Sequence, residues 1–312
     1  MFPLPSFSRL PAKFAASLVL LAGMHGLAHA ASPVSAIGIE NEYADVIAQI
    51  GGPYVTATAI MSDPNTDPHS FEVSPRIEGQ VAQADLIVEN GLGYDDWADK
   101  MIAATPRPRR IVINVQKLRH LPDSTPNPHL WYDPATMPAV AAAVAAALGK
   151  LDPAHAAYFT GQAAVFDASL KPWDAALAAL RKDYPNAPVA VTEPVGDYML
   201  QAAGTDILTP FALQAAIMNG TDPAPQDVSR QNQLLSQGKV RVFVYNQQVT
   251  DPLTNSFLAL AHQHGVPVVG VYETMPTPGY HYQGWMVAEV AALRRALADK
   301  VSTASLLKTA AP

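Results

Sequence analysis

"PAHAAYFTGQAAVFDASLKPWDAALAALRK", residues 153–182, decides the layout of the chain. It follows Asp152, so an N-cap residue precedes a proline at the first helical position, where its missing N–H costs nothing. Ala157, Phe159, Val165, Phe166, Leu170, Trp173, Leu177 and Leu180 lay a broad apolar stripe along a helical period. The spacing predicts one long helix, with Pro172 as the place for a kink. Outward from it, on both sides, short strands alternate with helical patterns. "VSAIGI", "YVTATAIM", "DLIVEN" and "RIVINV" come before it, and "PVAVTE", "DILTPF", "VRVFVYN" and "VPVVGVY" after. Continuous apolar strands alternating with helices indicate parallel sheets covered on both faces. The expected fold is α/β, with two lobes, each a roughly four-stranded parallel sheet flanked by helices, joined by one long connecting helix. The expected boundaries are 31–151 for the first lobe, 152–186 for the connection, 187–302 for the second lobe and 303–312 for a tail.

Residues 1–30 read as a cleavable leader. Arg9 and Lys13 precede the apolar run "FAASLVLLAGM", and "AHA" at 28–30 is a small-residue cleavage site. The run is shorter than the ~20 residues a membrane span needs. The mature chain of about 280 residues would then be exported to the periplasm. With no cysteine in the sequence, it has no disulfide framework, no thiolate ligand and no lipoprotein anchor. Removing Arg9 and Lys13 takes the formal charge from -7 to -9. An acidic chain without basic clusters is a poor nucleic-acid binder, and a cationic ligand suits it better.

In open parallel sheets, ligands bind beyond the carboxyl ends of the strands. Four metal-capable side chains fall there. His69 lies after "YVTATAIM" in the Pro-punctuated "SDPNTDPHSFEVSP" (62–75), and His129 lies in "NPHLWYDP" (127–134) after "RIVINV". Glu193 closes "PVAVTE" and Glu273 follows "VPVVGVY". Two imidazoles from one lobe and two carboxylates from the other suit a divalent transition ion, and the flanking prolines limit the entropy lost when ligands converge. His281 in "GYHYQGW" rivals Glu273 for the fourth place. Glu72, Asp85, Asp133 and Asp197 are candidates to orient the imidazoles, though helix capping suits Asp133 better. His120, His155, His262 and His264 read as ordinary surface or helix-end residues.

The motifs "DPHSFEVSP", "AQADLIVENGLGYDDW", "NPHLWYDP", "KLDP", "TEPVGDYML" and "YNQQVTDPLTNSFLALAHQHGVPVVGVYETMP" together resemble the metal-binding solute-binding proteins of ABC transporters, the zinc and manganese family with two lobes joined by one helix. The resemblance covers essentially the whole mature chain. It implies metal ligands at His69, His129, Glu193 and Glu273, a Zn2+ or Mn2+ cargo with iron as a further option, and an inner-membrane ABC permease as partner, with the receptor itself a monomer. Glutamate at 193 is similar to manganese-type members, and Glu273 stands where the family usually has aspartate. The loop before His129, "QKLRHLPDSTPNP", lacks the long His-rich insertion of many zinc-type members. Two other readings compete. A secreted zinc metallohydrolase would use three of the same residues, although HExxH and Gly-x-Ser-x-Gly are absent. A receptor for a chelated metal or haem would need an apolar cleft, for which Trp97, Trp131, Tyr132 and Trp285 are available.

Overall fold

The computed structural model describes residues 1–4 and 32–306. The leader's apolar run and cleavage site, and residues 307–312 of the tail, lie outside the described residues. Residues 1–4 have no regular secondary structure, and the chain from Pro33 onward forms one compact unit.

Its first half runs β1 (Val34–Glu40), α1 (Asn41–Gly51), β2 (Val55–Met61), α2 (Pro75–Gln83), β3 (Leu86–Glu89), α3 (Asp96–Ala104), β4 (Ile111–Asn114), α4 (Val115–Leu118) and α5 (Thr136–Leu151). After α6 (Ala156–Ser169) and α7 (Lys171–Asp183), the second half runs β5 (Pro188–Val191), α8 (Asp197–Ala202), β6 (Asp206–Ile207), α9 (Phe211–Met218), α10 (Pro225–Ser236), β7 (Val242–Asn246), α11 (Pro252–Gln263), β8 (Val268–Val271) and α12 (Tyr282–Asp299). All pairings between these strands are parallel, in the orders β2-β1-β3-β4 and β6-β5-β7-β8. Each order reverses at its central pair, which opens a crevice at the carboxyl ends of the strands. The two sheets and their flanking helices agree with the expected fold class. The run "DILTPF" is strand only at Asp206–Ile207, because Phe211 already begins α9 behind Pro210.

The helix expected over 153–182 is two helices meeting at Leu170. Pro172 has no N–H for the Ala168 carbonyl, and its ring crowds that carbonyl. The ladder restarts with the amides of Trp173 and Asp174 both bonded to the Leu170 carbonyl, at 2.9 and 3.1 Å.

One apolar core runs through both halves. It joins Ile37, Val88 and Trp131 of the first half to Phe166 and Trp173 of α6 and α7, and on to Val244, Tyr282 and Trp285 of the second. A separate cluster around Leu213, Phe243 and Phe257 covers the other face of the second sheet.

Gly38 sets the approach of α1 to β1. A Cβ there would lie 2.2 Å from the Ala44 amide nitrogen and 2.7 Å from its Cα, backbone that cannot swing aside. Gly38→Ala is expected to destabilise the protein by about 3 kcal/mol, in the range of core overpacking. Urea unfolding at constant m-value checks this.

Candidate metal centre

β2, β4, β5 and β8 end on the same side of the two sheets, and the loops beyond them bring their side chains together. The Nε2 atoms of His69 and His129 lie 3.1 and 3.3 Å from one atom, Oε2 of Glu273. The nearest donor atoms of these three residues all fall within 4.8 Å of one another. Ligands sharing one ion with bonds of ~2.0–2.2 Å are separated by a tetrahedral edge of about 3.3 Å. His129 and Glu273 are fully buried, and the imidazole of His69 is 25% exposed.

Asn127 fixes the tautomer of His129. Its Oδ1 accepts from His129 Nδ1 at 2.8 Å and from the His129 backbone amide at 3.0 Å, while its Nδ2 donates to the Pro194 carbonyl at 2.7 Å. The proton therefore sits on Nδ1, and a neutral His129 aims the lone pair of Nε2 at a carboxylate oxygen. Burial lowers the pKa of His129 and so favours that neutral form, against the pull of Glu273. At 3.3 Å, the Nε2 lone pair and the carboxylate oxygen attract only through a positive charge between them, a proton or a metal ion.

Glu193 is 2% exposed and lies beside this group. The amide nitrogen of Asn246 donates to Glu193 Oε1 at 3.1 Å and to Glu273 Oε1 at 2.7 Å, so one side chain holds both carboxylates. Glu193 Oε2 is buried without a hydrogen-bond partner, but Glu193 lies outside the trio whose donor atoms fall within 4.8 Å of one another. A divalent transition ion fits this donor set of two nitrogens and up to two carboxylates.

His281 is elsewhere. It precedes α12, its side chain is 71% exposed, and its Nδ1 contacts Asp45 Oδ1 at 2.6 Å. Asp85 pairs with Arg107, and Asp133 pairs with Arg119 and caps the turn before α5. Glu72 is exposed, and Asp197 is buried in the first turn of α8. The residue that orients His129 is instead Asn127. The aromatic residues do not form a cleft. Trp131, Tyr132 and Trp285 are fully buried in the core, and Trp97 stacks on Phe71 at 4.8 Å. Three of the four are therefore unavailable to line the wide apolar cleft a haem or corrinoid would need.

Residues 40–296 match the family described as zinc-uptake complex component A, periplasmic. The chain belongs to this family. Among curated proteins, this zinc-uptake family member is 28% identical over 138 residues to the iron-binding protein YfeA of Yersinia pestis, an alignment covering 43% of this chain and 44% of that protein. The chain thus spans less than half the length of this curated relative. The solved structures that share its fold include two metal-binding proteins. The solute-binding protein FpvC of Pseudomonas aeruginosa, in complex with Mn2+, superposes with a TM-score of 0.70 at 21% identity, covering 86% of this chain and 100% of that one. The periplasmic zinc-binding protein TroA of Treponema pallidum gives 0.71 at 18% identity, covering 86% and 99%.

Several groups around the centre of this zinc-uptake family member have shifted acidities. Burial pushes the Glu273 carboxyl up, but His129 and His69 outweigh it and hold the group well below the usual carboxylate range. His69 is raised: burial lowers it, and its bond and attraction to Glu273 more than reverse this. Burial, then the charge of Glu273, pushes Glu193 well up. Burial and charge thus favour the ionised form of Glu273, the protonated forms of His69 and Glu193, and the neutral form of His129.

Sequence reasoning missed the supporting groups. Tyr94 donates to Glu273 Oε2 at 3.0 Å from a turn in which Gly91, Leu92 and Gly93 all have positive φ. Behind it, Asp95 accepts from the amides of Asn90 and Gly91 at 2.6 and 2.8 Å. Glu40 and Glu42, at the β1–α1 junction, are buried with no hydrogen-bond partner on any carboxylate oxygen. Glu40, Asn90 and Asn246 all stand at or just past strand ends, so the strand-end rule, applied to every strand and to amides as well as carboxylates, would have found them.

Proposed function

We propose that the chain is the periplasmic substrate-binding component of an ABC importer, an uptake protein and not an enzyme. It captures a divalent transition metal ion, zinc or manganese with iron as a third candidate, and delivers it to an inner-membrane permease. His69, His129, Glu193 and Glu273 are the proposed ligands. The observation that carries this reading is the opposition of the His129 Nε2 lone pair and the Glu273 carboxylate at 3.3 Å, in a buried site, from opposite halves of the chain. Membership of a periplasmic zinc-uptake family, and a leader ending in "AHA", support the export.

Each residue has a task in capture. Asn127 presents the free nitrogen of His129, Glu273 supplies the anionic oxygen, and Asn246 keeps both carboxylates aimed inward. Arrival of the ion displaces the protons held by His69 and Glu193, so affinity falls with falling pH. Intrinsic preference favours Zn over Mn at almost any such site, so cargo choice depends on which ion is available. Metal analysis of the protein purified from the periplasm without chelator tests the reading. One zinc, manganese or iron per chain is expected, removable by chelator and restored on adding the ion. A chain that purifies and stays metal-free, even after ion is added, sinks it.

A further inference from the structure

Gln248 stands just past β7 and is 6% exposed. Both ends of its amide are engaged. Oε1 accepts from the backbone amides of Glu273 and Thr274 at 2.7 and 2.8 Å. Nε2 donates to Thr274 Oγ1 at 3.1 Å and, across the crevice, to the carbonyl of Thr66 at 2.8 Å. Its own backbone amide donates to Oδ1 of Asn246, the residue that holds both carboxylates, at 3.0 Å. One side chain therefore ties the backbone of Glu273 to the loop that carries His69.

That loop is built to move as a piece. Asp63 accepts from the Asn65 amide at 2.9 Å and from Thr66 Oγ1 at 3.0 Å, and Asp67 accepts from the His69 amide at 2.8 Å. Pro64 and Pro68 restrict it further. His69 is the one member of the donor trio with solvent access, since His129 and Glu273 are buried. On its open side lies a cavity of about 840 Å³, with Asp67, His69, Asn219, Asp222, Gln248 and Thr250 in its wall. An ion leaving the centre without unfolding the core has to pass His69, and Gln248 tethers the loop that positions it.

We propose that Gln248 is a positioning residue that latches the His69 loop to the Glu273 strand end, and that release of the ion proceeds by breaking this latch and letting the loop swing into the cavity. The kinetic half of this inference rests on the metal-capture reading. The latch itself is made of protein groups alone. Gln248 thereby controls how fast an ion leaves more than how fast one arrives, because an arriving ion can meet the exposed ring of His69 with the latch still made.

The test uses Gln248→Met, which keeps the chain length and removes every hydrogen bond of the amide. Dissociation of Mn2+ and of Zn2+ is followed by chelator chase, association by stopped flow, and backbone exchange of the ion-free protein by hydrogen–deuterium mass spectrometry. Dissociation about tenfold faster is expected, as for the loss of one or two buried hydrogen bonds, with association within about threefold of the parent. The amides of residues 62–70 should exchange faster, while those of β1 and β3 stay protected. If Met is not tolerated, Gln248→Glu keeps an acceptor for the amides of residues 273 and 274 and, when ionised, has no hydrogen for Thr66. Only the loop should then exchange faster. Unchanged loop exchange, or faster exchange spread over the whole molecule, overturns the latch. Failure of the parent to bind either ion would sink the capture reading, and the exchange data would still decide the latch.

Discussion

Replacing Glu273 by alanine is expected to weaken binding of Zn2+ and Mn2+ by about a thousandfold or more, with the fold intact. The carboxylate is buried and is the one group that touches both imidazoles, Tyr94 and Asn246. Without it, a divalent ion would enter a buried site lacking the ionised carboxylate that faces both imidazoles. Leaving a buried charge without its partner costs on the order of 3–5 kcal/mol, or two to four decades in affinity. Glu273→Gln should fail almost as badly, because the amide matches the shape and lacks the charge. Glu273→Asp retains the charge on a shorter arm and should lose only about tenfold, the scale of one net charge-assisted hydrogen bond. His281→Ala should leave affinity unchanged within about twofold, since its ring is exposed and turned to Asp45. Competition titration against a chelating dye measures all four. Binding kept in Glu273→Ala and lost in His281→Ala would reverse the assignment.

The second large effect is on stability. The ion-free protein should be most stable near pH 5 and lose stability steadily toward pH 8. Burial raises Glu42 and Glu289 to about 8, Glu89 and Asp197 to about 7 and Asp95 to about 6. Such carboxyls keep their protons in the fold and release them on unfolding. Their contribution is fully present below the unfolded value, near 4, and is lost as pH climbs through the folded one. For each such carboxyl, every pH unit separating its folded from its unfolded pKa is worth about 1.4 kcal/mol. Glu273 acts in the opposite sense, but its contribution is already complete by pH 5. His69, raised, loses stability as pH passes its folded value, while His129, lowered, gains it up to about its unfolded value, so the two act in opposite senses. Glu42→Gln isolates one site, because neither oxygen of Glu42 has a hydrogen-bond partner to lose. In urea melts at fixed salt, the variant should match the parent at pH 5 and exceed it by a few kcal/mol at pH 8. A variant that follows the parent's slope would rule out Glu42 as a source of it.

The alternation of apolar strands with amphipathic helices made the sheets legible, and the restricted loops around His69 and His129 made the imidazoles legible. These are local signals, in which proline, strand periodicity and a metal-capable side chain lie within a few residues of one another. The break at Leu170 was only half visible, because Pro172 is compatible with either a kink or a new first turn. Asn127, Asn246 and Gln248 were invisible as site residues for another reason. An amide in a loop sequence usually meets water, and what distinguishes these three is burial against partners up to 182 residues away. The aromatic residues misled in the opposite way. Trp131 and Tyr132 adjoin His129 in sequence, yet the turn over Leu130–Tyr132 points them into the core while His129 faces the crevice.

The shared core ties the beginning of the chain to its end. Tyr282, in α12, donates to the Trp131 carbonyl at 2.6 Å, and Trp285 packs edge-on against Tyr132 at 5.4 Å. The first sheet therefore lacks part of its apolar cover until the last long helix has arrived. Contacts of such long sequence separation are slow to form and leave apolar surface open in the meantime. A chain delivered N-terminus first would hold its opening half incomplete through most of its delivery, exposed to proteases and in need of a holding chaperone until α12 docks.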